Sequence, residues 1–455
     1  GYLNDPNGFC FFNSIYHLFY QWSPLRYVNE DVWFQGWYHL VSEDMINWEP
    51  VGPAIEPNTE FETHGAYSGS GLVYNDQLLL FYTGNTRMED GKRLPYQLIA
   101  NLDSNGTLNK ETVPAITGTP AGYTDHFRDP KIWQEENSFY AVVGAQRDNL
   151  TGTVILLKSN NTRNWEILGE VETSLKKFGY MWECPDYFEL DNQGVLIFSP
   201  QGLKAEKNRF ENIYQIGYII GEKITNETQN MSPHSKFYEL DRGFDIYAAQ
   251  TTLSPDGRRI LIGWMGLPEI KYPTEQYGYC GSLTLPREVY LKDGKLHQKP
   301  INELKNYRKN HQQIMKGINN NNILQMSTSF CYEIELIINN LEKGNVYIDL
   351  CSNKNNNAYT RIRCSEDNVI LDREKSGETF ATEYRTVRKL TENKNKSIRF
   401  NIIVDRSSIE IFINDGEIVA SSRIFPLENQ VFLFIHSSDG NFEIKLDYWD
   451  LKKIF

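Results

Sequence analysis

No apolar run in this chain of 455 residues approaches the roughly 18–20 residues that a helix needs to cross a bilayer. Nor does any tract of lysine and arginine interrupt a formal net charge of −13. The first absence argues against a helical membrane anchor, the second against nucleic acid and anionic membrane surfaces as partners. Cysteine is sparse. Cys10, Cys184, Cys280, Cys331, Cys351 and Cys364 include no C-x-x-C pair. That spacing fits neither a disulfide scaffold nor a zinc site and points to a reducing, cytoplasmic compartment. Because the chain opens on glycine, with no signal-like segment ahead of position 2, export is left open. N-x-S/T sequons at Asn105 and Asn149 weigh little in so asparagine-rich a sequence. Helical periodicity is nearly missing, and neither a metal nor an organic cofactor is expected.

What the chain has in quantity is aromatic: 27 tyrosines, 24 phenylalanines and 9 tryptophans, which suit both β-rich structure and carbohydrate contact. The length allows a large core and more than one domain. Within the first 290 residues one short pattern, an apolar strand, a polar turn and a second apolar strand, occurs five times. The instances are "GFCFFNSIYHLFYQ", "GLVYNDQLLLFYTG", "PKIWQEENSFYAVVGA", "PDYFELDNQGVLIFSP" and "TTLSPDGRRILIGWM". With Phe19, Phe81, Val142, Phe198 and Gly263 as equivalent points, the spacings are 62, 61, 56 and 65 residues. A second marker agrees: "SEDMINWEPVG" at 42–52 resembles "SNNTRNWEILG" at 159–169. Regular short strands repeated in this way predict a five-bladed β-propeller over residues 1–290, against the alternative of a large sandwich with accidental spacing. Residues 291–325 are polar and Asn-rich and read as a linker with a short helix around "INELKNY". Residues 326–455 alternate apolar and polar, with a turn signal at Asn414-Asp415-Gly416, and predict a β-sandwich whose role is packing.

The repeat gives meaning to acids that are uninformative alone. Asp5 sits in "YLNDPNGF", read as a tight turn wedged between Leu3 and the run Phe9–Phe12. It precedes its reference point by 14 residues, while Asp129 precedes Val142 by 13 and Glu183 precedes Phe198 by 15. Equivalent positions of successive blades face one channel, so three carboxylates are expected to converge. "AYSGSG" and "DIYAAQ" supply the same place in the other two blades. Met singly, an Asp in "DPNG" is usually a turn or cap residue, "RDP" a surface ion pair, and "WECPD" a buried structural acid. The shared offset is what argues for function.

Two carboxyl groups in unlike environments are what glycoside hydrolysis uses: one protonated near the leaving oxygen, one ionised near the anomeric carbon. Glu183, flanked by Trp182 and within reach of Asp186, is expected to have a raised pKa. Asp129 follows Arg128, whose charge is expected to keep it ionised. Backbone N–H groups of the turn are expected to do the same for Asp5.

From "LNDPNG" through "THGAYSGSG", "FRDPKIW", "MWECPDYF", "FDIYAAQTT" and "GSLTLPREV" to "VDRSSIEIFINDG", the chain resembles glycoside hydrolase family 32. That family holds invertases, fructan hydrolases and sucrose-6-phosphate hydrolases. The resemblance covers nearly the whole chain and implies the same propeller and sandwich, with retaining hydrolysis of a terminal β-fructofuranosyl unit of a small sugar substrate. It implies Asp5 as nucleophile, Glu183 as acid/base and Asp129 as transition-state stabiliser. Asn4, Gln21, Ser68 and Arg128 fall on sugar-contact positions, as does Tyr67, where Phe is commoner. "VWFQGWYHLVS" departs from the pattern, with Tyr38 where Gly is expected and Trp33, a wall of the sugar pocket, one residue off its usual spacing. "MWECPDYFEL…LIFSPQGL" and "IGWMGLPEIKYPT" are most similar to the sucrose-6-phosphate branch, though no phosphate-binding Arg or Lys cluster stands out. A non-catalytic sugar-binding propeller would be expected to lose Asp5 or Glu183, and both are present. A fructan hydrolase or fructosyltransferase with the same residues, and assembly as a homo-oligomer, stay open at this level.

Overall fold

The computed structural model describes residues 1–28, 32–225, 228–341, 344–392 and 396–452. The chain up to Pro300 forms five antiparallel sheets among the described residues, each made of strands consecutive in sequence. Their innermost strands are Tyr2–Phe12, Ala66–Tyr74, Tyr123–Glu135, Met181–Leu190 and Tyr247–Leu253. Each packs against the innermost strands of the neighbouring sheets, and the fifth returns to the first, which closes a β-propeller. The reference residues of the repeat all lie on second strands: Phe19 on Ile15–Ser23, Phe81 on Gln77–Arg87, Val142 on Ser138–Arg147, Phe198 on Gln193–Gln201 and Gly263 on Arg259–Trp264. These strands are apolar almost without a break because sheets cover both of their faces. Gln193–Gln201, for example, is buried from Gly194 through Pro200.

The second sequence marker is a turn used twice. Asp44 Oδ1 accepts the backbone N–H groups of Ile46 and Asn47 at 2.9 and 2.8 Å, and Asn161 Oδ1 accepts those of Arg163 and Asn164 at 3.1 and 2.9 Å. In both turns a tryptophan closes the loop: Trp48 Nε1 donates to the Met45 carbonyl at 3.0 Å, and Trp165 Nε1 to that of Thr162 at 2.8 Å. An acid or amide that satisfies its own turn backbone, followed by a large indole lid, is the local physics behind the sequence match.

Two sequence expectations are corrected. "YLNDPNGF" is no tight turn but part of an 11-residue strand, Tyr2–Phe12, whose pairing register shifts between Leu3 and Pro6 and again between Asn7 and Cys10. Bulges, not a reversal, are what the Asn, Pro and Gly residues serve. Gly8 has φ +54°, and a Cβ there would lie 2.8 Å from the Phe19 ring and 2.9 Å from Leu80, so only glycine fits. The 291–325 segment is likewise no linker. Arg287–Lys292 and Lys295–Pro300 are the outer strands of the fifth sheet, Asn302–Tyr307 is the short helix expected there, of 3₁₀ type, and Arg308–Ile318 is an edge strand of the next domain. That edge strand is mostly exposed, so it lacks the apolar alternation by which a half-buried strand is read.

Among the described residues the remaining chain forms two six-stranded antiparallel sheets packed face to face over one apolar core. Asn414, Asp415 and Gly416 all have positive φ and turn Ser408–Ile413 back onto Ile418–Arg423. Sandwich and propeller are clamped by Arg287, which is fully buried. Its guanidinium donates to Glu410 Oε2 at 2.6 and 3.0 Å, to Asp241 Oδ2 at 3.2 Å, to Gln298 Oε1 at 3.0 Å and to Ser421 Oγ at 2.5 Å. Thus "LPREV" and "SSIEIF", far apart in sequence, meet as one buried ion pair. No helix among the described residues is long and apolar enough to cross a membrane.

Candidate active site

Every innermost strand of the propeller carries a register shift at the same height: Leu3/Pro6, Ala66/Gly69, Arg128/Lys131, Glu183/Asp186 and Tyr247/Gln250. A bulge twists a strand and re-aims the side chain beside it. Here the device, repeated round the ring, turns Asp5, Ser68, Asp129, Glu183 and Tyr247 to one mouth of the channel. Asp129 and Cys184 sit at φ +68° and +46°, left-handed backbone that costs about 1–3 kcal/mol for a non-glycine residue and collects at functional sites.

Asp5 is held by side chains rather than by backbone N–H groups. Its Oδ2 accepts from Ser68 Oγ at 2.6 Å and from Cys184 Sγ at 3.6 Å, and its Oδ1 from Asn4 Nδ2 at 3.2 Å. Asn4 Nδ2 also bonds Gln21 Oε1, while Asn4 Oδ1 is buried with no partner among the described residues, an acceptor left for a ligand hydroxyl. Asn7 ties the strand down, donating to the Asp5 carbonyl at 2.9 Å and accepting the Gly69 N–H at 2.9 Å. Burial, with a smaller contribution from the charge of Glu183, pushes the Asp5 carboxyl up to about 6. The expectation of a nucleophile simply held ionised is therefore corrected: hydrogen bonds oppose the shift but do not cancel it.

Asp129 corrects its expectation in the same way. Arg128 lies at 3.9 Å from its Oδ2, and burial raises its pKa in spite of that cation. Its Oδ2 accepts the Cys184 N–H at 3.0 Å, and its own N–H donates to Thr83 Oγ1 at 3.0 Å. Cys184 thereby touches both aspartates, and burial keeps its thiol protonated as a donor. With Asp5, Asp129 and Glu183 each raising a neighbour, the site retains a proton near neutral pH that belongs to the cluster rather than to one group.

Arg128 serves Glu183 instead. Its Nε and Nη2 both donate to Glu183 Oε1, at 3.1 and 2.5 Å, and Oε2 accepts from Gln201 Nε2 at 2.8 Å and Tyr247 OH at 2.6 Å. Two neighbours named in the sequence have other tasks. Asp186 is buried against Lys131 Nζ at 2.7 Å and Thr251 Oγ1 at 2.7 Å, and Trp182 stacks on Phe198 with centroids 4.1 Å apart. A bulge lies between Glu183 and Asp186, and Asp186 and Trp182 are engaged by these other partners. Tyr67 accepts from Asn85 Nδ2 at 3.2 Å at the rim, and Gln21 is buried beneath Asn4. Trp33 lies in the loop before Gly36–Ser42, 61% exposed, with its indole N–H on the His64 carbonyl at 2.9 Å. Sequence reasoning missed Cys184, Gln201, Thr83 and His126. Tyr247 was signalled only by the position of "DIYAAQ" in the repeat.

Family models for the N-terminal domain of glycosyl hydrolases family 32 and for its C-terminal domain match residues 1–300 and 302–450. A sucrose-6-phosphate hydrolase of Staphylococcus xylosus is 40% identical over 455 residues, 99% of this chain and 90% of that protein. The solved sucrose-6-phosphate hydrolase of Lactobacillus gasseri superposes with a TM-score of 0.92 at 34% identity, covering 100% of this chain and 92% of that one. A Bombyx mori beta-fructofuranosidase of the same family, solved with sucrose, gives 0.82 at 31% identity over 100% and 92% of the two chains. Two matching domain models and relatives at this identity leave one assignment: the chain belongs to glycosyl hydrolase family 32.

Proposed function

We propose that this glycoside hydrolase is a retaining β-fructofuranosidase acting on sucrose 6-phosphate and sucrose, and that its ring comprises five blades carrying a sandwich that begins after Pro300. The observation that supports the reading best is the separate holding of two carboxylates. Asp5 rests on neutral donors, Ser68, Asn4 and Cys184, which leave its charge available for attack. Glu183 rests on Arg128, Gln201 and Tyr247.

In the first step an Asp5 oxygen attacks the anomeric carbon of the fructosyl unit while Glu183 gives a proton to the departing glycosidic oxygen. The C–O bond to the leaving sugar breaks and an ester bond to Asp5 forms. In the second step Glu183 takes a proton from water, which attacks the same carbon and frees Asp5. Asp129, fixed by Cys184 and Thr83, accepts hydrogen bonds from fructose hydroxyls as positive charge develops on the ring. Asn4, Gln21, Tyr67, Ser68 and Arg128 complete the fructose contacts, with Trp33 at the rim. All six cysteines are free, which supports a reducing compartment. Incubation with sucrose, sucrose 6-phosphate and inulin, following released fructose, tests the reading. Absence of fructose from both sucrose substrates overturns it.

A further inference from the structure

At the edge of the site the hairpin of Gln77–Arg87 and Arg93–Asp103 ends on a cross-strand pair of like charge, Arg87 opposite Arg93. Such pairs are destabilising when nothing intervenes. Carboxylates outnumber cations here, 59 to 46, yet among the described residues neither guanidinium has an ion-pair partner. Arg87 Nη1 donates to the Gly91 carbonyl at 3.2 Å, and Arg93 Nη1 to His126 Nδ1 at 3.3 Å. The nearby carboxylate of Asp125 is engaged by the Arg93 backbone N–H at 3.1 Å. His126 Nδ1 also accepts from Arg128 Nη1 at 2.8 Å. Burial and the two cations push this imidazole down to about 4, so it is neutral and its lone pair is shared between two guanidinium groups.

The chain of contacts therefore runs Arg93, His126, Arg128, Glu183, from the rim to the group that protonates the leaving oxygen. Arg93 stands at the far end of this chain from Glu183, half-buried, with the Arg128 guanidinium behind it and that of Arg87 opposite. A partly desolvated cation cluster of this kind is completed by a compact dianion, and the forked donors of arginine match phosphate oxygens two at a time. We infer that Arg93, oriented by His126 and reinforced by Arg87, binds the phosphate of a substrate phosphorylated on its leaving sugar. The inference rests on the fructosidase reading above and adds to it the residue that selects the phosphate ester.

Steady-state kinetics of the full chain and of Arg93→Gln and Arg93→Lys, on sucrose 6-phosphate and on sucrose, test it. Loss of charged hydrogen bonds predicts a fall of about 10–100-fold in kcat/KM on the phosphate ester for Arg93→Gln, carried mainly by KM. Sucrose hydrolysis is expected to change less than about threefold, and Arg93→Lys to recover part of the loss. Equal losses on both substrates, or none on the ester, overturn the assignment. An unsubstituted enzyme with no preference for the ester also overturns it while leaving the fructosidase reading intact. An unsubstituted enzyme inactive on both overturns that reading itself.

Discussion

Arg128 places two hydrogen bonds on a single oxygen of Glu183, at 3.1 and 2.5 Å, and stands 3.9 Å from the carboxylate of its own chain neighbour Asp129. The residue next in sequence is thus the weaker partner, because the bulge between Arg128 and Lys131 turns consecutive side chains in different directions. The pair links Glu183, the proposed acid/base, to the rim, and it sets the first expectation. A double-mutant cycle of Arg128→Gln and Glu183→Gln, read as kcat/KM on sucrose, should show strong non-additivity, about 1–3 kcal/mol of coupling. Additive losses would mean that Arg128 acts on the sugar independently of Glu183.

Glu183→Gln alone should lower turnover on sucrose by about 10²–10⁴-fold, the range of general acid catalysis. An aryl fructoside, whose leaving group departs without a proton, should lose far less in the first step. Equal losses on the two substrates would remove Glu183 from the acid role.

Asp5→Asn keeps the Ser68 and Asn4 neighbours but removes the charge that the proposed mechanism uses for attack, so it should be nearly inactive. It should also be more stable near pH 7.5. Folding raises this carboxyl from 3.8 to about 6, so the folded state holds the extra proton between those values and loses stability as pH rises through them. Removing the buried charge should return about 1–3 kcal/mol at pH 7.5 and almost nothing at pH 4, measured by urea unfolding at both. The same shift predicts an acid limb near pH 6 in the kcat/KM profile of the active enzyme. Proton NMR of the first-formed product should show β-fructofuranose, and initial α-fructofuranose would exclude a covalent fructosyl-Asp5.

Arg287→Met should destabilise the protein by about 3–5 kcal/mol, because Glu410 and Asp241 stay buried without their cation. Adding Glu410→Gln should recover part of that loss in a urea titration. A single variant within about 0.5 kcal/mol of the parent would mean that the domain junction does not depend on this ion pair.

The sequence by itself determined the propeller repeat, the sandwich and the positions of the three acids. Strand pairs buried on both faces write long apolar runs at a fixed period, and a carboxylate at one offset within that period must occupy one height of the ring. It also determined the Trp48 and Trp165 turns, since a turn closed by its own side chain is local chemistry. It misread Arg308–Ile318 because an exposed edge strand has no reason to alternate. Only the tertiary structure decided who holds whom. Asp186 goes to Lys131, Glu183 to Arg128 and Tyr247, and Cys184 to both aspartates, since these pairings cross from one sheet to the next through bulges whose direction no local pattern records. The raised carboxyls of Asp5 and Asp129 follow for the same reason: desolvation is a property of the closed ring, and it outweighs the neighbouring charge that the sequence displays.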